Sequence, residues 1–133
     1  MPVDALAGLA AIPGVRLLDL QYGDVAADRA AFDAAHPGLL HRLPGLDTFN
    51  DFEGMLAAIE ACGGVVTVSN VTAHLAGASG VPSLLLYAGP IAPMNYWAAR
   101  SGDTSLWYPT LEIVSGNDAW EPLVAEAARR LLV

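Results

Sequence analysis

The sequence predicts an α/β fold, a single domain in which helices cover a parallel, doubly wound sheet. Three observations predict it. The runs Val65 to Val68, Ser83 to Tyr87 and Leu111 to Val114 are apolar without polar alternation, as in strands covered on both faces. Helical patterns separate these runs, which implies right-handed crossovers between parallel strands. The 133 residues are one domain's length, with no linker, repeat or low-complexity segment to divide them.

Each element has its own signal. Leu6, Leu9 and Ala10 suggest a short helix, stopped by Pro13-Gly14. Val15 to Leu20 reads as a strand, ending in a turn at Gln21-Tyr22-Gly23. Asp24 is the expected N-cap of an Ala-rich helix that runs to Ala35 and stops at His36-Pro37-Gly38. Leu39 to Leu43 is a weaker strand. Residues 44–51 form a polar loop with a capping pattern at Thr48 and Asp51. Phe52, Met55, Leu56 and Ile59 then recur at the spacing of one buried helix face, closed by Gly63-Gly64. Trp120, Leu123, Val124, Ala127, Leu131 and Leu132 mark a final amphipathic helix. The chain opens on a helix where a domain of this kind opens on a strand, so an edge element is expected to be missing.

Composition narrows the function classes. Fourteen acidic residues against six arginines, with no lysine, give a net charge of −8. Such a chain lacks the electrostatic attraction that dominates nucleic-acid affinity, so nucleic acid is not an expected partner. A receiver-type domain, which needs a lysine at a strand end, is disfavoured too. Hydrophobic residues make up 54% of the chain and the mean hydropathy is +0.43, yet apolar runs such as Leu84 to Ala88 are far too short to span a bilayer. Neither a basic cluster nor a continuous apolar stretch opens the sequence, so no secretory leader is expected and a cytoplasmic location is. Cys62 stands alone, which excludes a disulfide framework and suits a small buried hydrophobe at a helix end. No residue pattern points to a metal. The apolar excess predicts a covered surface and self-association, most simply a homodimer. An uncovered strand edge and the aromatic stretch from Asn95 to Tyr108 are the candidate contacts.

The stretch "VSNVTAHLAGASGVPSLLLY", residues 68–87, carries the candidate chemistry. A polar turn, Ser69-Asn70-Val71-Thr72, joins a strand to a helix at the strand's carboxyl end, where ligands sit in open parallel sheets. Free backbone N–H groups and the helix dipole make that end an anion site, and Ser69 and Thr72 add hydroxyl donors. Gly77 and Gly80 are expected to let the helix approach the sheet. The same residues also serve as a plain cap with a satisfied histidine at position 74, since no Gly-rich phosphate fingerprint accompanies them. His36 and His41 read as surface or turn residues. Trp97, Trp107 and Tyr108 suit packing as well as base stacking, and Pro90 and Pro93 shape a loop.

Together, "LQYGD" (20–24), "VTVSNVTAHLAGASGVPSLLL" (66–86) and "WYP" (107–109) resemble the C-terminal half of bacterial tetratricopeptide-repeat glycosyltransferases similar to O-linked N-acetylglucosamine transferases. The heptosyltransferases are more distant relatives. The resemblance runs from about Leu9 to Leu132 and implies a Rossmann-like, three-layer α/β/α domain, half of a GT-B fold, that holds a nucleotide-sugar donor. It puts the donor diphosphate on the backbone N–H groups of Val71, Thr72 and Ala73, beside Asn70 and His74. Gln21, Tyr22 and Gly23 would line the nucleotide pocket, Asp51 would reach the ribose or base, and Gly89 to Trp97 with Arg100 would close the other wall.

The departures from the family pattern are as informative. Asn70 stands where an acidic residue is common, so no catalytic residue is assigned with certainty. Without a lysine, the basic contact to the diphosphate falls to Arg100 or Arg42 or stays vacant. No Asp-x-Asp pair occurs, in keeping with metal-independent chemistry, and no cofactor beyond the nucleotide-sugar donor is implied. The acceptor domain that supplies the base, and this domain's first strand, are not in the sequence. The expectation is therefore the donor-binding domain of an inverting glycosyltransferase, inactive alone, which works with an N-terminal acceptor domain or another copy of the chain. The alternative is a non-catalytic nucleotide-binding or self-association module.

Overall fold

The computed structural model describes residues 1–10, 12–91, 95–116 and 119–131. A 3-10 turn at Val3–Leu6 runs into α1 (Ala7–Ala10). Then follow β1 (Leu17–Leu18), α2 (Ala26–Ala35), β2 (Leu40–His41), α3 (Phe52–Glu60), β3 (Val65–Val68) and α4 (Val71–Ser79). The second half holds β4 (Ser83–Ala88), a 3-10 turn at Tyr96–Ala98, β5 (Arg100–Ser101), β6 (Thr104–Ser105), β7 (Leu111–Gly116) and α5 (Trp120–Leu131). Met94 and its two preceding residues, part of the expected pocket wall and including Pro93, lie outside the described residues, as does Leu132.

The fold is mixed α/β, with a five-stranded sheet in the order β3-β4-β7-β6-β5. Its three long members are parallel, Val65 opposite Ser83 and Ser83 opposite Leu111. Leu84 and Leu86 of β4 pack with Leu9, Val124 and Ala127 from α1 and α5, while Leu85 joins Ala73, Trp97 and Ile113. Adjacent β4 residues thus feed separate clusters, which is why the strand shows no polar alternation. Leu85 is fully buried, and truncating such a leucine to alanine costs about 2–5 kcal/mol.

Several expectations need correction. The strand expected at 15–20 shortens to Leu17–Leu18 and pairs in parallel with β2, forming a separate two-stranded sheet rather than joining the main one. Val25, not Asp24, holds the N-cap position of α2, without a side-chain cap. Asp51 caps α3 by itself, its Oδ1 accepting from the Gly54 amide at 2.8 Å. Thr48 instead donates to the Gln21 carbonyl at 2.9 Å. Phe52, expected on the buried face of α3, is exposed at the helix's first position, and Ala58 takes its place beside Met55 and Ile59. Gly80 serves as the left-handed C-cap of α4 (φ 76°) rather than as a contact with the sheet. The β5–β6 hairpin was not expected, since two-residue strands carry no readable period.

Candidate functional site

A groove of about 880 Å³ runs between the two sheets, bounded on one side by residues 15–22 and on the other by residues 64–68. Gln21 and Tyr22, which follow β1, line it together with Asn70 and Thr72, which follow β3.

The β1 end is held by a charge network. Asp19 sits at the end of an apolar strand with its side chain only 2% exposed, where an unpaired carboxylate would be costly. Arg29, one helix away, donates Nε to Asp19 Oδ2 and Nη2 to the Gln21 carbonyl at 2.7 Å. Asp19 Oδ1 accepts from the Gln21 amide at 2.9 Å, and Arg42 approaches Asp19 at 3.5 Å. The Gln21 backbone is therefore pinned from several sides. Its side-chain Oε1 is buried and, among the described residues, has no hydrogen-bond partner. Tyr22 leans on Phe49, ring centroids 5.9 Å apart. Gly23 is an exposed turn residue at φ 91° and does not line the groove.

The β3 end is a helix start. Asn70, in extended conformation, caps α4: its Oδ1 accepts from the Ala73 amide at 3.3 Å and from the Thr67 hydroxyl at 3.2 Å. Ala73 N–H is consumed by this cap, whereas the amides of Val71 and Thr72 belong to the first turn, which has no intrahelical acceptor. Thr72 is 7% exposed and faces the groove.

Ser69 and His74 belong to a neighbouring aromatic cluster. Ser69 Oγ accepts from Trp97 Nε1 at 2.9 Å. The His74 ring stacks on Trp97 at 5.0 Å, and its Nδ1 lies 3.0 Å from the Tyr108 hydroxyl. Trp97 is buried against α4 and does not line the groove, so the wall expected from Gly89 to Trp97 with Arg100 is not formed by Trp97 there.

Two expected ligands lie elsewhere. Asp51 is exposed, occupied as a helix cap, and outside the groove lining. Arg100 sits in β5, at the sheet edge opposite β3, with Nη1 3.5 Å from Ser115 Oγ. Arg42, the other candidate, is engaged by Asp33 at 2.9 Å, and that hydrogen bond raises its already high pKa. Sequence reasoning missed Arg29. A carboxylate inside the run Leu17-Leu18-Asp19-Leu20 was the available signal, since it demands a partner. Cys62 also lines the groove, half-buried, and burial pushes its thiol pKa up. Among the described residues no group of three His, Cys, Asp or Glu side chains is placed to hold a metal ion, and no helix is long and apolar enough to cross a membrane.

The described chain is thus an α/β domain whose groove is lined by polar residues following two strands. Over 122 residues, 90% of the chain, its sequence is 30% identical to Protein FlbA of Caulobacter vibrioides. The chain spans only 20% of that protein's length. No protein-family model matches the chain, and no solved structure matches it.

Proposed function

We propose that this chain is a nucleotide-sugar donor-binding domain, a Rossmann-like half of an inverting, metal-independent GT-B glycosyltransferase. One observation carries the reading: Gln21, Tyr22, Asn70 and Thr72, which follow two different strands, line one groove, and Gln21 Oε1 there lacks a partner. In α/β sheets the crevice at strand carboxyl ends is where nucleotides bind.

In this reading the first-turn amides of Val71 and Thr72 and the Thr72 hydroxyl hold the diphosphate. Negative charge develops on that leaving group during sugar transfer, so donors fixed in advance favour the transition state. Gln21 Oε1 accepts from the nucleoside. The acceptor and its activating base come from a facing domain. The isolated chain is accordingly expected to bind donor nucleotide weakly and to transfer no sugar.

NMR titration of the 133-residue chain with UDP, GDP and ADP tests the reading. Shifts are expected at Gln21, Tyr22 and Asn70 to Thr72. Thr72→Ala is expected to weaken binding by about 1 kcal/mol, one hydrogen bond. Shifts confined to the β5–β6 hairpin, or none with any of the nucleotides, would overturn it.

A second reading, self-association as a homodimer, draws on the hairpin surface. Leu106 and Trp107 are 64% and 57% exposed, and Tyr96 stacks on Trp107 at 5.3 Å. Sedimentation at micromolar concentration separates a dimer from a monomer.

A further inference from the structure

We propose that the groove between β1 and β3 is a slot for one β-strand from outside residues 1–133, an extended apolar segment flanked by basic residues. The backbone carries this inference. β1 bonds only β2 and β3 bonds only β4, and among the described residues no strand lies on the other side of either.

The ladder fixes which groups are left. In a parallel pair, alternate residues direct both their N–H and C=O to the same neighbour. The Asp19 amide donates to His41 O at 2.8 Å, toward β2, and the Val65 amide donates to Pro82 O at 3.0 Å, toward β4. Leu18 and Leu20 therefore turn their backbone groups away from β2, and Val66 and Val68 turn theirs away from β4. All four residues line the same groove. Two rows of backbone donors and acceptors without a strand partner, the Val68 carbonyl accepting only from Thr67 Oγ1 at 3.3 Å, thus border one largely apolar trough, with Val3, Leu6 and Leu9 also in its lining. Backbone groups in such a place need partners, and one strand between the rows provides them for both.

The trough also defines its occupant. Asp19 and Thr67 apart, its lining beside both strands is apolar, so side chains on both faces of the incoming strand are mainly aliphatic and β-branched. β3 offers four residues for pairing, a length of about 13 Å. The chain's net charge of −8 favours basic flanks. No segment of residues 1–133 is available for the role. Every described strand already has its place, and the longest undescribed stretch, 92–94, has three residues. A second copy would have to surrender a paired strand, so the strand comes from outside residues 1–133. The inference stands apart from the nucleotide reading, because the strand pairs along the groove whereas the nucleotide engages side chains and helix amides beyond the strands.

The test uses the peptide acetyl-Lys-Val-Ile-Val-Val-Ile-Lys-amide and a control with its central Val replaced by Pro, which cannot donate to a ladder. Amide exchange of the 133-residue chain is followed by NMR with each. The first peptide is expected to slow exchange at Leu18, Leu20, Val66 and Val68 by about tenfold or more, and the Pro control to leave them unchanged. A chain that orders only when the first peptide is present supports the slot equally. Equal responses to both peptides, no change at these four amides, or disorder with either peptide would overturn it. So would a sedimenting dimer in which the four amides are protected without peptide, since a second copy would then fill the groove.

Discussion

Arg29 Nη2 donates to the Gln21 carbonyl at 2.7 Å while its Nε holds the buried Asp19 carboxylate. One side chain from α2 thereby fixes both the end of β1 and the turn that presents Gln21 to the groove. Arg29→Ala leaves Asp19 only the longer contact with Arg42, at 3.5 Å. Losing one partner of a buried pair costs about 3–5 kcal/mol. Arg29 is 26% exposed and Arg42 remains nearby, so about 2 kcal/mol is expected here, discounted for screening. Urea denaturation measures the loss, and a change under 0.5 kcal/mol would show that the network is only superficial.

The aromatic cluster rests on a glycine. A Cβ at Gly77 would overlap the ring of Tyr108, whose hydroxyl meets His74 Nδ1. Gly77→Ala must push Tyr108 aside and is expected to cost about 1–3 kcal/mol, as overpacking does. The His74 ring signals are expected to shift in the same spectrum. Gly80→Ala differs: nothing crowds that position, and the strain comes from its φ of 76°, for about 1 kcal/mol with His74 undisturbed. Equal perturbation of His74 by both variants would contradict this division.

How far the sequence revealed this arrangement depended on the length of each signal. β3, β4, β7, α4 and α5 each repeat an apolar pattern over at least four residues, and their positions agree with the pattern. β1, β2 and the hairpin have two residues per strand, too few for a period. The turn at Ser69 and Asn70 was legible as a helix start, but the sequence left Asn70 open between a cap and a ligand-binding residue, and its side chain caps α4. Arg100 was misjudged because counting cations does not give sheet order, which puts β5 at the far edge. Asp51 was misjudged because a capping carboxylate and a ligand-binding one look alike in a loop. The split into two sheets, and with it the groove, depends on which strands pair, and no local pattern encodes that.

Cys62 offers a chemical readout of the groove. Its Sγ donates to the Ala58 carbonyl at 3.2 Å, and burial raises its thiol pKa. The thiolate is the reactive form, so alkylation by iodoacetamide at pH 8 is expected to run slower than for a free cysteine and to climb on moving to pH 10. Reaction as fast as free cysteine at pH 8 would mean that the groove end at residues 61–64 is open to solvent.

The last helix is tied to the sheet by charge, and acid should release it. Arg130 reaches Glu126 on α5, Glu112 on β7 and Asp103 in the hairpin, each at 2.8 Å. Hydrogen bonds from Arg129 and then Arg130 hold the Glu126 carboxyl down at about 2, against an ordinary 4.5. A carboxylate whose folded pKa is depressed stabilises the fold above its unfolded pKa, and that contribution fades as pH falls through the folded one. The Glu126 contribution is therefore intact above about pH 4.5, shrinks between there and about pH 2, and is gone below. Glu126→Gln removes the charge at every pH. The variant is expected to be less stable than the parent at pH 7, with the difference closing as the pH approaches 2. Thermal melts of both proteins at stepped pH, with the Glu126 carboxyl carbon followed by NMR, measure the two quantities together. A carboxyl titrating near 4.5, or a gap between the proteins that does not close in acid, would show that the Arg129 and Arg130 contacts do not persist in solution.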